Sequence, residues 1–310
     1  MNRQTKVEIL ISTYNGEKYL REQLESILSQ NGDFQLKISI RDDGSTDGTK
    51  QILEEYATIH HNVQVTFGAN IGVNASVMTL VLASERNFDY FAFSDQDDVW
   101  YSNRIAKAIT TLNTFPASSS LLWSCLEELT NENLEPYQNM PIPKLLGDFH
   151  NAFLQNKTPG HTQVFNTALR DLFEKFPADK MHVYDWTLYL LACEFGQVLF
   201  CKDICGQYRQ HGSNVIGYDA GGIPLFIRRI KSLYKGDFKR SILQLQYFLE
   251  YYRCQMNPAH VKEIQRFLSM RRNIFTRIIY AFWAKIKRDT IWEAFQIRVA
   301  YILGAFGKIN

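Results

Sequence analysis

DYFAFSDQDDVW (residues 89–100) joins a β-prone apolar run to three carboxylates, Asp95, Asp97 and Asp98, that fall within four residues. Residues 89–93 read as a strand that stops where the acidic residues begin. Like charges this close are costly unless a cation or hydrogen-bond donors offset them. A Mg²⁺ or Mn²⁺ ion, held by one or two carboxylates with phosphate oxygens, answers that need. A solvated acidic turn capping the next helix is the alternative, and the segments on either side decide between the two.

Upstream, the same unit recurs. Residues 7–12 form a short apolar run, followed by the turn Asn15-Gly16 and a helical pattern with Tyr19, Leu20, Leu24, Ile27 and Leu28 on one face. Residues 36–40 predict a second strand, broken by Asp42, Asp43 and Gly44, and a helix over residues 49–57 with Ser45, Thr46 or Asp47 as its cap. Residues 63–67 predict a third strand and residues 74–83 a helix. Repeated strand-helix units predict an α/β fold with a mostly parallel sheet and helices on its faces. In such sheets ligands sit outside the carboxyl ends of the strands. Thr13-Tyr14-Asn15, Asp42-Asp43, Asn70 and the run from Asp95 to Asp98 each follow one of the four strands. Four placements on one rim favour a binding site over an incidental acidic turn.

Downstream the pattern weakens. Residues 115–160, with the polar and proline-containing stretch 127–143, read as a loop and acceptor-facing excursion. A helix is expected over residues 186–194, a returning strand over 196–199 and a Gly- and Asn-rich loop over 209–217. From Pro224 onward the text reads as helical.

Charge divides the chain in the same place. Residues 226–310 hold 17 Lys and Arg against 5 Asp and Glu, whereas the first 225 hold 17 against 27. An acidic domain followed by a basic tail implies a carboxylate-rich site and an anionic partner. In RRNIFTRIIYAFWAKIKRD (residues 271–289), basic residues flank Phe275, Ile278, Ile279, Phe282, Trp283 and Ile286 at helical spacing. Such a helix can lie in a headgroup plane, pack on the domain or form a homo-oligomer bundle. No nucleic-acid reader motif accompanies the charge.

The five cysteines show no metal-ligand spacing and read as reduced buried thiols. With residues 1–6 polar and the next apolar run only six residues long, no signal peptide is expected, and residues 278–286 fall short of the roughly 18 apolar residues of a membrane span. The expected location is cytoplasmic, peripheral at the inner face of the cell membrane.

ILISTYNGEKYLREQLESILSQ (residues 9–30), IRDDGSTDGT (40–49), the turn Asn70-Ile71-Gly72 and FSDQDDVW (93–100) resemble, in that order, the inverting family-2 glycosyltransferases of GT-A fold. The resemblance spans about residues 5–217. NKTPGHTQVFN (156–166), MHVYDWTLYLLA (181–192) and YRQHGSNVIG (208–217) are further similar to bacterial rhamnosyltransferases of streptococcal rhamnose-polysaccharide synthesis.

The resemblance implies a GT-A catalytic domain over residues 1–222 and a basic amphipathic helical tail over 223–310. It implies that Ser12, Thr13 and Tyr14 line a nucleotide pocket, that Asp43 accepts from the pyrimidine N3–H, and that Asp42 binds nearby or supports the loop. Asn70 belongs to the same nucleotide-sugar site. Asp95 would lie near the ribose, Asp97 would ligate Mg²⁺ or Mn²⁺, Asp98 would assist it, and His211 would complete the metal shell or close over the diphosphate. Gly160, His161 and Thr162 would lie beneath the sugar. Asp185, in a string where Val183 and Tyr184 separate it from His182, would be the catalytic base; otherwise it caps the helix that follows. Arg104 is either a diphosphate ligand or a helix-surface arginine. The implied donor is a dTDP- or UDP-linked sugar, with dTDP-β-L-rhamnose favoured, and the implied acceptor is a polyprenyl-diphosphate-linked glycan.

Overall fold

The computed structural model describes residues 3–212 and 237–307. The expected units form in order: β1 (Thr5–Thr13), α1 (Leu20–Leu28), β2 (Phe34–Asp42), α2 (Thr49–Ile59), β3 (Val63–Phe67), α3 (Val73–Ala83) and β4 (Tyr90–Ser94). β3, β2, β1 and β4 lie side by side and parallel. β4 is buried along its whole length, as a strand covered by helices on both faces must be.

The chain then departs from the simple alternation. A short β5 (Val99–Trp100) and α4 (Arg104–Leu112) lead into β6 (Ser120–Thr130), whose eleven residues are almost entirely buried. β7 (Pro136–Asn139) pairs with its end. The expectation of a loop over 115–160 is corrected here. SLLWSCLEELT is buried on both faces, so no polar-apolar alternation marks it as a strand, and its Glu127 is neutralised by a distant partner.

After α5 (Phe149–Ala152) come β8 (Val164–Asn166), α6 (Thr167–Phe173) and α7 (Tyr184–Phe195). β9 then runs from Gly196 to Arg209, far beyond the four residues expected, and Arg209 ends a strand instead of opening a loop. β8 is antiparallel to both β4 and β6, while β9 runs parallel to β6. The sheet order β3-β2-β1-β4-β8-β6-β9-β5 makes one mixed sheet.

Helices α8 (Asp237–Tyr252), α9 (Pro258–Ser269), α10 (Ile274–Trp283) and α11 (Ile291–Ile302) follow. The boundary expected at 222/223, most of the expected 209–217 loop and the first part of the expected helical tail lie outside the described residues. One apolar cluster fills the side of the sheet covered by α1, α2 and α4. The other combines α3, α6 and α7 with Leu245, Phe248, Ile264, Phe267, Tyr280 and Tyr301 of the tail. The inner face of the tail therefore continues the core of the sheet domain. Buried hydrogen bonds fasten it: Tyr301 Oη donates to Phe267 O at 2.7 Å and Tyr280 Oη to Glu263 Oε1 at 3.0 Å.

Candidate active site

The rim at the ends of β1, β2 and β4 is built from the inside outward. Thr13 and Asp42 are register partners, and both are fully buried. Asp42 accepts from Thr13 Oγ1 at 3.3 Å, from Ser45 N at 3.0 Å and from the Ser45 hydroxyl. Of the two roles open to Asp42, these bonds are those of loop support, and Thr13, expected to line the pocket, has no exposed surface: its carbonyl accepts from Asp43 N at 2.8 Å. Ser12 is tied to α3 by its hydroxyl, which donates to Ser76 Oγ at 2.7 Å.

Asp43 accepts from Arg41 Nη1 at 2.5 Å and from the N–H groups of Ile71 and Gly72, both at 2.9 Å. A carboxylate offers about four lone-pair sites, so one further donor can still be accepted. The exposed Asn70 precedes this turn. Gly44, at φ +85°, lets the backbones meet, since a Cβ there would lie 2.9 Å from Asn70 N.

The acidic turn after β4 is held by two residues that the sequence did not single out. Gln96 clamps it to the end of β1: Tyr14 N donates to Oε1 at 2.9 Å, and Nε2 donates to Tyr14 O at 3.0 Å. No alternation or charge marks an amide lodged between acidic residues, although Gly16 hints at it, because a Cβ there would meet Gln96 Oε1 at 2.5 Å. Arg209 does more. Its Nε donates to Asp97 O at 2.8 Å, its backbone N to Asp98 Oδ1 at 3.2 Å and its Nη1 to Glu132 O at 2.6 Å, and it pairs with Glu22. The guanidinium lies 4.4 Å from the centre of the Tyr19 ring, and the His211 ring packs on the same tyrosine at 4.8 Å. Two residues beyond Arg209, His211 Nε2 stands 2.8 Å from Asp97 Oδ2.

On the opposite wall a three-residue helical turn, Gly160–Thr162, meets the start of α7. Asp185 accepts from Gly160 N at 2.9 Å and from Trp186 N at 2.6 Å. The α7 cap is Val183, so Asp185 sits in the first turn and the capping alternative fails. Burial pushes its carboxyl up to about 7, the Asp95 charge adding to the shift while the N–H donors of Trp186 and Gly160 and the nearby His161 temper it. Gly160 is required here, because a Cβ would fall 2.3 Å from Tyr184 Oη. Thr162 is buried and spends its hydroxyl on Ser124 and Pro159, each at 2.7 Å. His182 packs toward the tail, its Nδ1 3.2 Å from Ser241 Oγ.

Behind the wall lies a buried charge cluster. Arg104 is fully buried, bonds Glu127 at 2.7 Å and the carbonyl of His161, and covers Trp100 at 4.1 Å. The helix-surface reading of Arg104 is corrected, since the side chain has no exposed surface and is spent on Glu127 and the His161 carbonyl. His161 Nδ1 lies 3.3 Å from Asp95 and 3.8 Å from Asp98, and its Nε2 is 2.9 Å from Glu127 but out of line for a hydrogen bond. Burial alone would lower its pKa; Glu127 and Asp98 outweigh that and raise it well above the usual histidine range.

The residues fit a hard dication. Asp98 Oδ2 is buried and accepts no hydrogen bond. Burial, with Asp95 next, raises the Asp97 carboxyl, and burial raises Asp98 further. Such shifts mark a need for positive charge. Asp97 and His211 can supply ligands, and Asp95, Asp98 and His161 bring ligand atoms within 4.8 Å of one another, a set that His161 could join only as the neutral imidazole.

Comparison with known proteins gives the family and the fold. The family model described as "Glycosyl transferase family 2" matches residues 8–176. A dTDP-rhamnosyl transferase, RfbG of Shigella flexneri, is 30% identical over 220 residues, covering 67% of this chain and 73% of its own. The chondroitin synthase of Escherichia coli is 29% identical over 215 residues, 29% of its length. An uncharacterised Mycobacterium tuberculosis protein, Rv1520, matches at 24% identity over 60% of its length. S. aureus TarS (1–349) in complex with UDP has a TM-score of 0.57 at 19% identity over 97% of this chain and 81% of that one. The mannosyltransferase PcManGT from Pyrobaculum calidifontis, solved with GDP-Man and Mn²⁺, has a TM-score of 0.52 at 16% identity over 98% and 86%.

Proposed function

The chain belongs to glycosyl transferase family 2, and from that membership we propose that it is an inverting, metal-dependent hexosyltransferase moving L-rhamnose from dTDP-β-L-rhamnose to a lipid-linked surface-polysaccharide precursor. Residues 1–222 carry the transfer, and residues 223–310 serve attachment. The observation that carries the reading is Asp185: a carboxyl beside Gly160, pushed up to about 7 by burial, suits a base that works near neutral pH.

In this reading the acceptor hydroxyl attacks the anomeric carbon as Asp185 takes its proton, and the bond to the diphosphate oxygen breaks with the electron pair leaving on the nucleotide. A single displacement inverts the centre, so a β-L-rhamnosyl donor yields an α-L-rhamnoside. Asp97 and His211 would hold Mg²⁺ or Mn²⁺, with Asp98 as their support. The ion would offset charge on the departing diphosphate. Gly160 presents a bare backbone beneath the sugar, and Asp43, with one acceptor site left, takes the base N–H. The relative named as a dTDP-rhamnosyl transferase supports the donor.

A UDP-hexose is the second reading. It is favoured by structural neighbours solved with UDP and UDP-GlcNAc, and Asp43 would serve uracil and thymine alike. Thermal shift and nucleoside diphosphate release, with Mg²⁺ or Mn²⁺ and dTDP-rhamnose, UDP-glucose, UDP-galactose or UDP-N-acetylglucosamine, separate the two. Selective turnover of dTDP-rhamnose, lost in Asp97→Ala, is expected. Preference for a UDP-sugar keeps the mechanism and discards the donor, and no response to any donor contradicts the transferase role.

A further inference from the structure

We propose that the outer face of α10 and the first half of α11 seats this protein on an anionic lipid bilayer. Phe275, Phe282, Trp283, Ile291, Trp292 and Phe295 are between 52% and 91% exposed, although the other faces of these two helices are packed into the core through Tyr280, Ala281, Ala300 and Tyr301. Among the described residues, half of the large exposed apolar side chains fall between residues 274 and 303, a concentration that marks an interaction surface.

The two helices are tied together at their base. Arg298 donates to the carbonyls of Ala281 at 3.0 Å and Ala284 at 3.1 Å. The exposure is thus a property of a packed element and not of a detached helix.

Charge selects the occupant. Residues 237–307 hold 12 Lys and Arg against 5 Asp and Glu. Two of those acids are spent internally, Glu263 on Tyr280 and Asp289 on Lys157. Arg272 and Lys285, both exposed, flank the aromatic run of α10 in sequence, and Lys262 and Arg266 are exposed on α9. Two copies meeting through such a face would repel, whereas tryptophan and phenylalanine rimmed by lysine and arginine suit a headgroup layer of negative charge. α10 and α11, at 10 and 12 residues, are too short to span a bilayer and would lie in it.

The connector between the helices is fastened to the chain leading into Gly160. Asn151 Nδ2 donates to Lys287 O at 3.0 Å, Arg288 Nη1 to Leu154 O at 3.2 Å, and Lys157 pairs with Asp289 at 2.5 Å. The seat is therefore coupled to the wall that carries Gly160 and Asp185. Its purpose rests on the lipid-linked acceptor reading; its test does not.

The full chain is sedimented with vesicles of phosphatidylcholine carrying about one third phosphatidylglycerol, and with pure phosphatidylcholine, while donor hydrolysis is read without vesicles. Binding to the anionic vesicles only, roughly tenfold weaker near 0.5 M salt, is expected, with a blue shift of tryptophan emission. Trp283→Glu/Trp292→Glu should lose at least about tenfold in binding while melting and donor hydrolysis hold. If that variant melts early, Arg272→Glu/Lys285→Glu gives the same readout from exposed positions. Failure of the wild type to bind, or undiminished binding by the charge-reversal variant, overturns the proposal. A dimer that the tryptophan variant dissociates, with no vesicle binding, assigns the face to a second copy instead. Vesicle binding without donor turnover would overturn the transferase reading alone.

Discussion

Asp97 Oδ2 and His211 Nε2 stand 2.8 Å apart although 114 residues separate them in the chain. Arg209 brings them together by bonding the backbone of Asp97 and the side chain of Asp98 at the end of β9. The pair should act as a unit. Asp97→Ala is expected to lower kcat/KM for the donor on the order of 10²–10³-fold, and His211→Ala about 10–100-fold. The double variant should be no worse than Asp97→Ala, a coupling of about 1–3 kcal/mol. Fully additive losses in a double-mutant cycle would show that the two act separately.

Arg104 and Glu127 form an ion pair with no exposed surface. Removing Arg104 leaves Glu127 buried with His161 alone to offset its charge, so Arg104→Met should cost up to about 3–5 kcal/mol in urea unfolding. Because Arg104 also bonds the carbonyl of His161, the loss should be accompanied by weaker donor binding. A variant as stable as the wild type would mean that the cluster relaxes or neutralises freely.

Gly160→Ala puts a methyl group 2.3 Å from the Tyr184 hydroxyl and 2.8 Å from its ring. Overpacking of this kind costs about 1–3 kcal/mol, and the displaced turn would move the N–H that Asp185 accepts. Transfer should fall more than donor affinity does, as measured by kcat against the donor-induced thermal shift. An unchanged kcat would show that the turn at Gly160 does not position Asp185.

With its carboxyl pushed up to about 7, Asp185 is protonated below that pH and can act as a base only above it. Transfer with saturating metal should rise with pH through about 7 and level off above about 8, falling tenfold per unit on the acid limb. A flat profile between pH 6 and 8 would contradict a titrating base at this position.

The rim was legible because each of the first four strands ends in a polar cluster, and because apolar runs of five or six residues separated by helical periodicity describe a parallel sheet. β6 was not legible, since SLLWSCLEELT is buried on both faces and carries Glu127, whose partner Arg104 lies 23 residues upstream. Nothing in a helix-borne arginine tells whether it faces water or a buried acid. Asp42 and Asp43 are divided by the resemblance, which gives Asp43 the base and leaves Asp42 two roles; the fold adds that Asp42 closes its own loop and Asp43 holds the turn before α3. Gln96 and Arg209 act through backbone groups, which residue type does not reveal. The aromatic stripe of the tail was legible as a stripe, but its division into packed and exposed faces required α8 and α9 to be in place.

The central claim is that Asp185 performs the proton transfer in a site that binds a sugar nucleotide. The most direct measurement sets Asp185→Asn beside the wild type, reading dTDP-rhamnose binding by thermal shift and transfer by glycosylated product with released dTDP. Unchanged donor binding with transfer down on the order of 10²–10⁴-fold is the predicted result. An asparagine variant that transfers at the wild-type rate would contradict it.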